Sequence, residues 1–262
     1  MIVAAGIHLM PVLDAIPTPR PSCVAGIDAS GGLCQLDCAA TDDEILAAIP
    51  DGVRVLAIDA PLVVPNATGQ RPVEHLLAWL DTPAFPNSTE RLTRLNGGIR
   101  GAALRDALIA RAARVVETLP DLVLRELLWE QTHPAAAVQM DLRDYRAGWL
   151  GVRAPRYRPK GLGRATPAGR GAAASILARV VDLGDWLPTP DPDDWQAIAD
   201  AARLDAIACA YTAWRLATTP GDTLALGDLR TPLVIPADAN LRARATLHLA
   251  RLGQGGPSPT PT

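Results

Sequence analysis

Apolar residues follow two rhythms along this chain. Short unbroken runs closed by glycine or proline predict buried strands, and longer stretches with helical spacing predict helices. The clearest run is Arg54-Val55-Leu56-Ala57-Ile58-Asp59-Ala60-Pro61-Leu62, bounded by Asp51-Gly52 and Pro61. Pro61 has no amide N–H and biases Ala60 towards extended geometry, so Asp59 falls at the carboxyl end of a strand, where α/β sheets gather ligands. Taken alone, Asp59 serves equally well as a salt-bridged or turn-capping residue. Cys23–Ala29 repeats the pattern around Asp28, and Ser30-Gly31-Gly32 turns it into a second strand, Leu33–Cys38, as a hairpin. Asp42–Ile49 places acids first and apolar residues after, a short helix ended by Pro50. Residues 1–22 carry Pro11, Pro17, Pro19 and Pro21 and read as a leader over a domain edge.

Beyond the Asp59 strand, Val63–Gly101 is proline-rich and irregular, with a short helix starting at Arg71-Pro72-Val73-Glu74. Gly101–Leu119 has the period of an amphipathic helix. Asp121–Trp129 reads as a strand leading into Glu130-Gln131-Thr132-His133-Pro134. Trp195–Leu216 is a second long helix, preceded by acids that favour its dipole. Its middle is small and apolar nearly all round except for Asp205. Burying that carboxylate alone costs several kcal/mol, so it needs a partner. Arg203 or Arg242 is one solution, and a divalent cation shared with Asp28 and Asp59 is another. Thr223–Leu226 and Pro232–Ile235 form a closing hairpin, and 237–262 is an extension expected to be disordered from about residue 253.

The chain of 262 residues, 48% of them hydrophobic, has ample material for a core. One α/β domain over 22–236 is expected, with long insertions at 63–101 and 141–171. A net charge of −3 argues against a strong non-specific nucleic-acid binder. Locally the balance reverses: Arg143, Arg146, Arg153, Arg156, Arg158, Lys160, Arg164, Arg170 and Arg179 face Asp144 alone between residues 142 and 180. Four cysteines make no disulfide framework in a chain this long, and their spacing with the scattered histidines does not fit structural zinc. With no apolar run long enough to span a bilayer and no basic region before the apolar start, a cytoplasmic protein is expected.

Three carboxylates brought together by a mixed sheet and one helix suit Mg2+ or Mn2+. Two such ions about 4 Å apart would serve phosphodiester cleavage, with Asp28 as the natural bridging ligand.

Gly26-Ile27-Asp28, Ala57-Ile58-Asp59-Ala60-Pro61-Leu62, Arg71-Pro72-x-Glu74, Thr132-His133-Pro134, Lys160-Gly161 and Leu204-Asp205-Ala206 together resemble the motifs of the domain of unknown function 429 family. That resemblance implies a ribonuclease H-like mixed sheet with flanking helices and a metal-dependent nuclease. It implies Asp28, Asp59, Glu130 and Asp205 as catalytic and metal-binding residues. Arg71, His133 and Lys160 of these motifs, with Arg156 and Arg158 of the basic segment, would contact the nucleic acid, DNA or RNA. Two positions depart from the family pattern. Its Glu-x-His/Tyr-Pro aligns on His133-Pro134 with Gln131 at the acidic place and Glu130 one residue early, and its Arg-Pro-x-Asp ends in Glu74. On a strand, a shift of one residue reverses the face, so either Gln131 is the ligand or a bulge turns Glu130 inward. A non-catalytic nucleic-acid or protein binder stays open. So does an actin-like phosphotransferase, because Gly26–Gly32 also resembles a phosphate loop.

Overall fold

The strand ending at Asp59 lies in the middle of a seven-stranded sheet of order β3-β2-β1-β4-β5-β7-β6. These are β1 (Ile2–His8), β2 (Ser22–Asp28), β3 (Leu33–Ala39), β4 (Val53–Ile58), β5 (Ala112–Glu117), β6 (Thr223–Leu226) and β7 (Leu233–Pro236). They come from a computed structural model that describes residues 1–10, 21–79, 86–133, 142–158, 167–190, 192–227 and 232–251. β1, β4, β5 and β7 run parallel, whereas β2 is antiparallel to both its neighbours and β6 is antiparallel to β7. The result is an α/β fold with a ribonuclease H-like mixed sheet between helices.

Helices cover both faces. On one side, α1 (Asp42–Ala48) and α4 (Arg100–Arg111) bury Ile45, Leu104 and Leu108 against Ala5, Ile7, Leu56 and Ile58. On the other, α8 (Asp194–Thr218) crosses β1, β2 and β4, flanked by α5 (Pro120–Thr132) and α7 (Pro167–Leu177). Each central strand therefore has two buried faces, which is why β1 and β4 read as unbroken apolar runs. A smaller core joins α2 (Pro72–Trp79), α6 (Leu142–Gly151) and α9 (Ala239–Arg251) to β6 and β7. A further helix, α3 (Thr89–Asn96), starts on a Ser88 cap within the stretch expected to be irregular.

Three expectations need correction. Within the supposed leader, residues 2–8 form β1, hydrogen-bonded on both sides, so Cys23–Asp28 is the second strand. The helix expected over Gly101–Leu119 ends at Arg111, and the chain goes straight into β5. The strand expected over Asp121–Trp129 is helix α5, started by Pro120, whose missing N–H costs nothing at a first helical position. The hairpin of β2 and β3, helix α1, the long helix around Asp205 and the closing hairpin stand where the sequence puts them. The residues around 253 and beyond lie outside those described.

Cys23 and Cys38 face each other across β2 and β3 and form a disulfide, leaving Cys34 and Cys209 free. No helix of the described residues is long and apolar enough to cross a membrane.

One buried group away from the central strands gives the fold a pH dependence. Glu126 on α5 accepts from Trp149 Nε1 (2.7 Å) and from the Asp238 amide (2.9 Å), tying α5 to α6 and to the start of α9. Burial, with the Asp238 charge adding to it, pushes the Glu126 carboxyl from 4.5 up to about 8. Between those values the folded chain holds a proton that the unfolded chain has released, so this group makes stability fall as pH rises through the window. Glu126→Gln is expected to flatten that fall, measured by urea unfolding at about pH 5 and about pH 8. Equal pH slopes for the two proteins would refute it.

Candidate metal centre

At the carboxyl end of the parallel strands, donors from three elements meet. His8 is the last residue of β1, Asp59 follows β4 with its amide bonded to Ile7 O (2.9 Å), and Asp205 is buried in α8. His8 Nδ1 lies 3.0 Å from Asp59 Oδ2 and 3.4 Å from Asp205 Oδ2. One donor atom from each residue falls within 4.8 Å of the other two. Ligands about 2.1 Å from a shared ion stand roughly 3 Å apart at right angles and roughly 4.2 Å apart in line, so the two spacings from His8, 3.0 and 3.4 Å, fit one divalent ion. Coordination would take the Nδ1 lone pair and so replace the hydrogen bond from Nδ1 to Asp59, with the ring proton on Nε2, 2.9 Å from Met10 Sδ. The set can hold a metal ion.

The local sequence explains why α8 comes so close. Gly6 and His8 share a face of β1, and a Cβ placed on Gly6 would lie 2.0 Å from Ala210 N and 2.4 Å from Ala206 O. Helix and strand therefore meet main chain to main chain, which sets Asp205 beside His8.

Arg158 supplies the positive charge. Its Nη2 is 2.6 Å and its Nε 2.8 Å from the two Asp205 oxygens, and Nη2 is 3.6 Å from Asp59 Oδ2. Tyr157 OH donates to Asp205 Oδ1 at 2.5 Å. Burial works to raise the Asp59 carboxyl, but the His8 hydrogen bond and the Arg158 charge outweigh it and hold Asp59 below the usual range. Burial, assisted by Asp205, pushes the Tyr157 phenol well above its ordinary value, so it stays a neutral donor. The arginine that Asp205 needs is thus Arg158, not Arg203 or Arg242; Arg203 pairs with Asp200.

Asp59, Ala60 and Pro61 form a ridge between two cavities. One, of about 310 Å³, is lined by Arg71, Asn87, Glu117, Asp121 and Arg158 among others. The second, of about 260 Å³, runs past His8, Met10 and Arg100.

Asp28 is not part of this centre. β1 and β2 are antiparallel, with Ile2 opposite Asp28 and His8 opposite Cys23, so six residues of strand, roughly 20 Å, separate Asp28 from His8. Asp28 Oδ1 instead accepts from Ser30 N (2.9 Å), Ser30 Oγ (2.6 Å) and Gly32 N (3.0 Å). The Ser30 hydroxyl first, and the Gly32 amide next, lower its pKa. Those amides hold the β2–β3 turn and are not offered to a phosphate, which removes the kinase-like loop.

Glu130 also lies elsewhere. It is nine residues along α5 from Asp121, about 14 Å, and faces Arg215 at 4.0 Å. Burial raises its carboxyl, opposed by Arg215. Gln131 donates to Ile176 O (3.0 Å), and His133 stacks on Trp129 with centroids 3.8 Å apart. On a helix, the choice between a bulge and a strand face does not arise. Arg156 is exposed, and Lys160 lies outside the described residues. Arg71 lines the larger cavity, but its Nε goes to Glu74 (2.8 Å) and its Nη1 to Glu117 (2.9 Å) and Val63 O (3.0 Å). It braces the turn after β4.

Sequence reasoning missed His8 and Glu117, and both carried a signal. Gly6-Ile7-His8 has the Gly-Ile-Asp pattern with His for Asp. Glu117-Thr118-Leu119-Pro120 has the Glu-x-x-Pro spacing sought at Glu130 and Gln131, with Leu119 at the aromatic place. Glu117 ends β5 and accepts from the amides of Leu62 (2.7 Å) and Val63 (3.3 Å) as well as from Arg71. Burial raises its carboxyl against the pull of Arg71.

Comparison with protein-family models, curated proteins and solved structures finds no match to this chain.

Proposed function

We propose that this chain is a metal-dependent nuclease, hydrolysing phosphodiester bonds of DNA or RNA at the centre formed by His8, Asp59 and Asp205. One observation carries the reading: three donors from β1, β4 and α8 converge at ligand spacing where the sheet opens onto two cavities. The motif resemblance supports it through the Asp59 and Asp205 blocks. An imidazole beside two carboxylates favours Mn2+ over Mg2+. Among the described residues, these donors make one cluster, so one ion is proposed in place of two. His8, Asp59 and Asp205 would hold such an ion, which would supply polarisation of a phosphoryl oxygen and a more acidic water.

The chain's own residues do the rest. Asp59, ionised and partly open, faces both cavities, so a ligand lying across the ridge meets its carboxylate. Arg158, about one-third exposed, has a planar fork of the kind that suits a phosphate, and it would meet one only on leaving Asp205, which its Nε and Nη2 now hold. Tyr157 and the close strand–helix contact hold Asp205 in place.

The test is cleavage of single- and double-stranded DNA and RNA in Mn2+, Mg2+ or EDTA. Cleavage in Mn2+ that EDTA abolishes is expected, and Asp28→Asn should retain most of it because Asp28 only holds a turn. Cleavage lost in Asp28→Asn would return the chemistry to the other end of the sheet. Arg158 lying across both carboxylates favours a second reading, a non-catalytic binder. Salt-sensitive binding without cleavage would select it.

A further inference from the structure

Arg158 makes the contacts that a cation makes at this centre. Asp205 is almost fully buried, and its oxygens take Tyr157 OH and two Arg158 nitrogens, with His8 Nδ1 at 3.4 Å. A carboxylate has about four lone-pair sites; Tyr157 and Arg158 take three of those on Asp205, and the one left is on Oδ2, which already accepts from Arg158 Nε at 2.8 Å, so an ion bound there would stand directly against the guanidinium. Tyr157 is buried and neutral and lies under no electrostatic pressure to leave. Arg158 is positive and would stand against a divalent charge of the same sign. It also has a receiving group, because its Nη1 is 3.3 Å from Asp121 Oδ2, and Asp121 sits at the exposed start of α5 beside the larger cavity.

We infer that Arg158 is the resident counter-cation of the site, and that it gives up Asp205 and turns to Asp121 when His8, Asp59 and Asp205 take a divalent ion. The inference rests on the proposed metal site. It makes Arg158 a positioning residue with two stations. On Asp205 it neutralises a buried charge, and on Asp121 its fork faces the cavity. The metal-free protein is thereby spared the strong destabilisation of unpaired buried carboxylates, at the expense of metal affinity.

The test is calorimetric titration of the full chain with Mn2+, for wild type, Arg158→Ala, Asp121→Asn and the double variant. Charge-assisted hydrogen bonds to Arg158 must break before the ion binds, so Arg158→Ala should bind Mn2+ about ten-fold more tightly or better. Asp121→Asn removes the receiving group from an exposed position and should weaken Mn2+ binding several-fold without threatening the fold. In the Arg158→Ala background, the Asp121→Asn change should then have no effect. Equal or weaker binding by a folded Arg158→Ala overturns the inference. Should that variant not fold, unchanged affinity in Asp121→Asn overturns it. An Asp121→Asn effect that persists without Arg158 reduces Asp121 to a distant charge and also overturns the two-station account. If neither wild type nor Arg158→Ala binds Mn2+, the metal reading itself fails, and the inference with it.

Discussion

Asp59→Asn is expected to lower Mn2+-dependent cleavage by on the order of 100-fold or more while leaving the fold intact. Residues that merely orient a metal ligand are worth about 10- to 100-fold, so loss of an ionised ligand should cost at least as much. The amide keeps the shape of the side chain and can still accept from His8 Nδ1, 3.0 Å away in the native protein. It cannot supply the negative charge that the His8 bond and Arg158 preserve by keeping the carboxyl below its usual range. Asp59 is also partly open to solvent, so the change leaves no large buried charge unpaired. Initial rates on a labelled oligonucleotide, with a thermal melt of the same sample, decide the matter. Undiminished cleavage by a folded Asp59→Asn protein would mean that the reaction does not use this carboxylate.

The second large effect belongs to the scaffold. Gly6→Ala should destabilise the chain by about 3 kcal/mol or more, at the upper end of what overpacking costs. The new methyl group would meet the backbone of Ala206, Cys209 and Ala210, which cannot rotate away as the end of a side chain can. Relief requires α8 to lift off β1, and that movement also separates Asp205 from His8. Urea unfolding measures the loss, and Mn2+ titration below the transition measures the accompanying fall in affinity. Gly26→Ala is the comparison, since its nearest neighbours are the side chains of Ile2 and Gln35, which can adjust. Similar losses at both positions would show that the close approach of α8 is not the reason for glycine at position 6.

Asp59 and Asp205 were legible because each breaks a rule of its surroundings, one as a charge ending an apolar run and the other as a charge inside an apolar helix. His8 breaks no such rule. A histidine after Gly6-Ile7 can end a strand without any ligand, and four nearby prolines made the segment resemble a leader. Asp28 was misleading for the opposite reason. Its run has the right composition, but direction is a property of pairing, and β2 runs against β1. A local pattern cannot say which end of the sheet a strand presents.

The exchange of helix and strand between residues 101 and 129 has a similar origin. No glycine or proline separates Arg111 from Ala112, so the helical period of α4 ran on into β5 despite Val115-Val116. Pro120 with Asp121 is a good helix start, yet the apolar Leu122, Val123, Leu124, Leu127 and Leu128 suit either element. Burial on both sides decides in favour of the helix: α5 packs against α7 and α8 through Val123, Leu124 and Leu127, and against Tyr145 through Trp129. Arg158 was legible only as part of a charge surplus. That it turns inward to Asp205 depends on folding across a separation of 47 residues.

The bare contact between Gly6 and α8 separates the spacing of this site from the chemistry of its donors. The interval between His8 and Asp205 is fixed by main chain, before any side chain at position 8 is chosen. An aspartate or a histidine there starts from the same Cα, at the same depth, under the same helix. The identity of the donor is therefore the interchangeable part of this candidate centre, since a carboxylate or an imidazole at position 8 would reach it from the same backbone.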